Sequence, residues 1–219
     1  MTGPSETQAR HPGAPTRRGQ APGSGSSHVS LRLWIRITFL GWLLGIVLVV
    51  AIALVGEVVG VRGSQISVGL GMGLGVGIAQ ERALRPLLGP SQLWRWASAM
   101  GLAIPFLVVD LARMSGRPIP YSLYVAIVAA GLTAGGAQAY LLRPRGIAPG
   151  SWIGASCAGW IAASLMAALA DSFTAWSPVR GLAGALLYLG LVCVGGLLLG
   201  AATSVPLRRF AATTIPAGR

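Results

Sequence analysis

Apolar positions in this chain fall in long runs instead of scattered short elements. Uncharged stretches cover 37–56, 63–80, 96–109, 118–142, 146–170 and 181–207. Set against the roughly 20 apolar residues that a membrane-crossing helix needs, they predict an all-α integral membrane protein with six transmembrane helices. The stretch 96–109, bounded by Arg95 and Asp110, is the weak member. A run of about 10 to 14 residues also suits a re-entrant or interfacial segment. Residues 1–31 are rich in Gly, Pro, Ser and Thr and cannot bury a core; they are expected to form a disordered cytoplasmic tail. The transmembrane domain is expected over 32–209, followed by a short cytoplasmic tail over 210–219.

An internal repeat supports the count of six. Shifting the chain by 58 residues aligns 73–101 with 131–159 without a gap, and 12 of the 29 positions are identical. Gly73 falls on Gly131, Gly77 on Gly135, Gln80 on Gln138, Leu84-Arg85-Pro86 on Leu142-Arg143-Pro144, Trp94 on Trp152 and Ser98 on Ser156. The pattern Trp-Ile-x-x-x-x-x-Gly-Trp at 152–160 recurs at 34–42. A third copy of the even-numbered helix carries Gly196, Gly200, Leu207 and Arg208, with Thr203 in place of the Gln. The unit is a helical hairpin used three times, over about 32–86, 92–144 and 150–209. Parallel repeats of this kind imply a pseudo-symmetry axis along the membrane normal, threefold if the hairpins close into a ring.

Composition narrows the class. Of 219 residues 53% are hydrophobic and 10% charged, against about 25% charged in ordinary soluble domains, which excludes a typical soluble enzyme or nucleic-acid binder. Net charge is +12, and all 17 basic residues are Arg. They flank the apolar runs instead of forming a basic face, so nucleic acid is not an expected partner. With the N-terminus inside, thirteen arginines lie on the cytoplasmic side and four (Arg62, Arg113, Arg117, Arg180) lie outside, which satisfies the positive-inside rule and makes both termini cytoplasmic. Trp34, Trp94 and Trp152 then enter at the cytoplasmic interface, where indoles are enriched.

Two residue sets stand out. Gln80, Gln138 and Thr203 on the even helices share a depth with Thr38, Ser98 and Ser156 on the odd helices, each four residues inside its Trp. Interhelical hydrogen bonding is the preferred reading; the alternative is a polar cytoplasmic-side layer lining a vestibule. Glu57, Asp110 and Asp171 end the odd helices on the outer side. An acid at a helix C-terminus opposes the macrodipole, so pairing with Arg62, Arg113 and Arg180 is preferred over an outer cation-binding ring. Glu81 is expected to pair with Arg85 one turn away. The glycines at 69, 71, 73, 75 and 77 follow no strand and precede no Gly-Lys-Ser/Thr; helix packing explains them better than nucleotide binding. Cys157 and Cys193 lie inside apolar segments without metal-ligand spacing and are expected to be structural. Both histidines, His11 and His28, are in the tail, so neither a catalytic constellation nor a metal site is expected, and no motif identifies a cofactor.

The Gly-x-x-x-Gly-x-Ala-Gln-x-x-x-Leu-Arg and Trp-Ile-x-x-x-x-x-Gly-Trp repeats resemble those of uncharacterised small bacterial polytopic membrane proteins, a group that brings no activity with it. Three hairpins are also reminiscent of mitochondrial carriers, but the Pro-x-Asp/Glu-x-x-Arg/Lys motif of that family is absent. The resemblance implies a multi-pass protein of the bacterial inner membrane. The function expected is that of a non-catalytic accessory or scaffold subunit, partnered by the bilayer and by another membrane protein or a second copy. The alternative is a passive facilitator or binding protein for a small or lipidic solute.

Overall fold

The structure, a computed structural model, describes residues 30–61, 63–176 and 181–214. The N-terminal segment expected to be disordered, together with Arg62, Arg180 and Arg219, lies outside the described residues. The described chain forms six helices: α1 (Leu31–Val58), α2 (Ile66–Leu88), α3 (Leu93–Met114), α4 (Ser122–Leu142), α5 (Pro149–Trp176) and α6 (Gly181–Thr214), with a 3₁₀ turn at Arg143–Arg145 after α4. Helices are what hydrocarbon requires, because each satisfies its own backbone polar groups. Ser30 starts α1 by accepting the Leu33 amide at 3.2 Å. Gly89 and Gly146, with φ of 79° and 80°, end α2 and the 3₁₀ turn in a conformation that costs other residues a Cβ clash.

Five of the helices are long and apolar enough to cross a membrane. The exception is α2, not α3, whose helix runs well past the short uncharged stretch 96–109 to span Leu93–Met114. α2 falls short because its apolar part is half glycine and its other end carries Glu81, Arg82 and Arg85. The glycines that lower its hydropathy also let neighbours approach. Each helix packs on the next in chain order, and α6 returns to pack on α1, closing a ring in which the α1–α6 seam is the least extensive.

Glycine sets the closeness of these seams. Gly75 lies against Gly41 and the backbone of Gly45, with no room for a side chain between α2 and α1. A Cβ on Gly73 would stand 2.7 Å from Ala99 Cα, and one on Gly101 would stand 2.5 Å from Ala134 Cα. Gly196 abuts the indole of Trp42, and Gly200 the backbone of Ile35. By contrast Gly136 faces open space. Gly75→Ala is expected to cost about 1–3 kcal/mol through overpacking, while Gly136→Ala is expected to gain up to about 1 kcal/mol from helix propensity. Thermal unfolding of the two variants in detergent checks this: equal midpoints would show that the α1–α2 seam does not depend on bare backbone.

Candidate functional site

The end of the bundle that carries α1's start and α6's end is held by a repeated hydrogen-bond relay. Gln80 on α2 donates through Nε2 to Thr38 Oγ1 on α1 (3.2 Å) and accepts at Oε1 from Trp94 Nε1 on α3 (3.3 Å). Gln138 on α4 does the same between Ser98 on α3 (2.9 Å) and Trp152 on α5 (3.0 Å). The third unit is abbreviated: Trp34 Nε1 on α1 donates to Thr203 Oγ1 on α6 (3.0 Å), and Ser156 donates instead to the Gly131 carbonyl (3.2 Å). Thr203 has no amide to extend the relay, so its own hydroxyl proton goes to the Leu199 carbonyl at 2.8 Å. All six polar side chains are buried. The Trp34–Thr203 bond joins residues 169 positions apart and ties the last helix to the first.

The structure corrects the placement of the tryptophans. Trp34, Trp94 and Trp152 do not face the membrane interface but fill the axis, among the largest fully buried side chains. Trp152 meets Trp34 and Trp94 edge-on, with ring centroids 6.1 and 5.6 Å away, a favoured aromatic geometry. Gln80, Gln138 and Thr203 do converge on the axis, together with Ser98 and Ser156, but around a void of only about 10 Å³, about enough for a single water. That layer is a plug and not a vestibule.

Beyond the plug the bundle opens. The next layer holds Trp42 and Trp160, 5.7 Å apart and tilted by 37°, with Leu102 at the corresponding position of α3. Trp42 Nε1 is buried without a hydrogen-bond partner among the described residues. Above this floor lies a cavity of about 320 Å³ walled by all six helices, including Ile46 of α1, Met72 of α2, Phe106 of α3, Ile127 of α4, Ala167 of α5 and Val192 of α6. Its size reaches the lower end of the range of small-molecule sites. Ser164 and Tyr188 bring the only hydroxyls among its lining residues.

The acids at the far end do not form a set. Asp110 is buried, and instead of compensating a C-terminus it caps the N-terminus of α2, accepting from Ser64 Oγ (2.5 Å), Gln65 N (2.9 Å) and Ile66 N (2.9 Å). There the helix dipole favours negative charge. Gln65 continues the tie to α4 by donating to Ser122 Oγ at 3.1 Å. Asp171 on α5 lies beside Tyr188 on α6, and Glu57 is exposed near the end of α1. Among the described residues no three Asp, Glu, His or Cys gather as a metal site would require. Glu81 pairs not with Arg85 but with Arg95 across to α3, in a two-pronged contact of 3.1 and 3.2 Å. The guanidinium of the next helix donates from Nε and Nη2 to the two carboxylate oxygens, a stronger geometry than a single-point pair. Cys157 and Cys193 are free thiols.

Sequence reasoning missed the cavity. Its floor was present as the second Trp of the Trp-Ile-x-x-x-x-x-Gly-Trp pattern, and the departure to Leu102 in α3 was the available signal that this layer is unevenly filled. Two measurements test the polar contacts. In a double-mutant cycle of Gln138→Leu with Trp152→Phe, unfolding in detergent should return a coupling of about 0.6 and up to about 2 kcal/mol; additive effects would mean that the relay contributes nothing. Asp110→Ala should cost about 1–2 kcal/mol through loss of the α2 cap, with Asp110→Asn costing less because its amide oxygen still accepts; no loss in Asp110→Asn would remove charge from the explanation, and equal losses would assign the whole effect to it.

No protein-family model, curated protein or solved structure matches the chain, so the resemblance to small bacterial membrane proteins rests on the repeated motifs alone.

Proposed function

We propose that this chain is a non-catalytic, multi-pass protein of a bacterial inner membrane that binds one apolar or lipidic solute inside its helical ring. In this reading all six helices cross the bilayer as three tandem hairpins, with both termini cytoplasmic. Although α2 alone lacks a membrane helix's hydropathy, it packs between α1 and α3, and its glycines face protein backbone and not lipid. The observation that carries the binding reading is the cavity of about 320 Å³ walled by all six helices. Its lining is almost wholly apolar, which suits a hydrocarbon-soluble molecule and opposes an ion or a sugar. The buried Trp and Gln layers block the axis, which argues for a bound solute over a channel along that axis.

A second reading, the accessory subunit, draws on a different surface. Gly150, Gly154, Ala155 and Ala158 of α5 line a shallow groove with Ala202 and Val205 of α6, and Gly150 and Gly154 meet nothing within 4 Å. Small residues spaced four apart are how membrane helices approach closely. The two readings separate on purification in gentle detergent followed by intact-complex mass spectrometry. A bound apolar molecule that disappears in Ala167→Trp, which fills the cavity, is the expected result. A stoichiometric protein partner with no small molecule, unaffected by Ala167→Trp, would replace the binding reading with the subunit reading.

A further inference from the structure

We infer that the seam between the halves of α1 and α6 remote from the Trp relay is a lateral opening through which one acyl chain of a phospholipid in the adjoining leaflet enters the cavity. The inference rests on the binding reading above and adds the ligand's class and its route.

The hydrogen bond and the glycine contacts that join α6 to α1 are Thr203 to Trp34, Gly200 to Ile35 and Thr38, and Gly196 to Trp42. All lie at or inside the Trp42 layer. Outward of it both helices turn exposed: Val50, Leu54 and Val55 on α1, and Leu182, Leu186 and Leu189 on α6. Gly190 meets nothing within 4 Å. Contacts at this level tie α1, α2, α3 and α4 to one another. The Asp110, Gln65 and Ser122 contacts join α2, α3 and α4, Gly71 sits against Val49 between α1 and α2, and Tyr188 of α6 lies beside Asp171 of α5.

The register of the seam places its rims. Val50 and Tyr188 each stand eight residues outward from the Trp42–Gly196 contact, so both lie about 12 Å above the floor at 1.5 Å per residue. Both line the cavity and both are substantially exposed, at 53% and 39%. They therefore belong to the interior and to the lipid-facing surface at once. A depth of about 12 Å fits within one leaflet, half of a hydrocarbon core about 30 Å thick. The medium outside such an opening is acyl chain. An apolar cavity does not hold water, and leaving it empty forfeits dispersion contacts along every wall. No Arg lines the cavity, so the head group stays at the interface while the chain enters.

The test uses the full chain in nanodiscs of phosphatidylcholine bearing a diazirine near the end of one acyl chain. Cys157 and Cys193 are replaced by Ala, and Val50→Cys and Leu189→Cys are added so that a membrane-permeant bismaleimide can bridge the seam while Tyr188 is left in place. Photolabelled residues are mapped by peptide mass spectrometry with and without the bridge. The expected result is label on Met72, Ile127 and Ala167 that is lost on bridging, while label on Leu54 and Leu182 persists in both. Interior label that survives bridging overturns the lateral route and leaves the cavity reading standing. Label confined to Leu54 and Leu182 without the bridge, in protein that remains folded and monodisperse, overturns both.

Discussion

Helices immersed in hydrocarbon gain nothing by burying leucine against leucine, because the lipid they leave is as apolar as the neighbour they meet. Association depends on close van der Waals approach and on polar groups that find partners only in each other. This bundle uses both at the same end. Glycines at 41, 45, 73, 75 and 77 bring α1, α2 and α3 to backbone contact, and that closeness puts Gln80 within reach of Thr38 on one side and Trp94 on the other. Without the small residues the amide could not bridge two helices; without the amide a buried indole N–H would have no acceptor, at a cost of about 1–3 kcal/mol.

The same logic repeated around the axis explains why the ring closes where it does. Gln138 reproduces the bridge between α3 and α5, whereas Thr203, being shorter, serves only Trp34. The α1–α6 seam is thus served by a residue that makes one interhelical side-chain bond, where Gln80 and Gln138 each make two. It is also the seam that no loop reinforces, since it joins the first helix to the last. A ring assembled from hairpins is weakest where its chain ends meet, and here the weaker polar bridge coincides with that weakness. The outward halves of α1 and α6 have neither a relay nor a turn to hold them together, and theirs is the least extensive seam of the ring.

The helical class, the polar layer and its register were legible because they follow from run length and from a repeat that fixes depth: Gln80 and Gln138 share a position in the repeat, and the structure sets both at one level with Thr38 and Ser98. What one sequence could not supply was direction around each helix. Trp34, Trp94 and Trp152 carry the signature of interface residues, a position near a helix start, and only the inward rotation of their helices makes them core. Asp110 was misassigned for the same reason. It is near the end of its own helix, and nothing local reveals that it faces the start of another 45 residues away. Glu81 likewise had a partner within its own helix by spacing and took one across the seam.

The cavity shows how a departure from repetition can matter more than the repetition. Where α1 and α5 place Trp42 and Trp160, α3 places Leu102, and the walls above carry Ala163 and Ala167 where bulkier residues would fill the axis. A soluble protein would collapse such a space or fill it with larger side chains, since each missing methylene loses transfer energy and leaves a cavity behind. In a bilayer the penalty has another remedy, because the surrounding solvent is itself a chain narrow enough to enter. The space therefore need not be strain awaiting repair. Its apolar walls, its closely packed inner end and its least extensive seam are each ordinary consequences of packing, and together they are what the proposal of an occupant drawn from the membrane rests on.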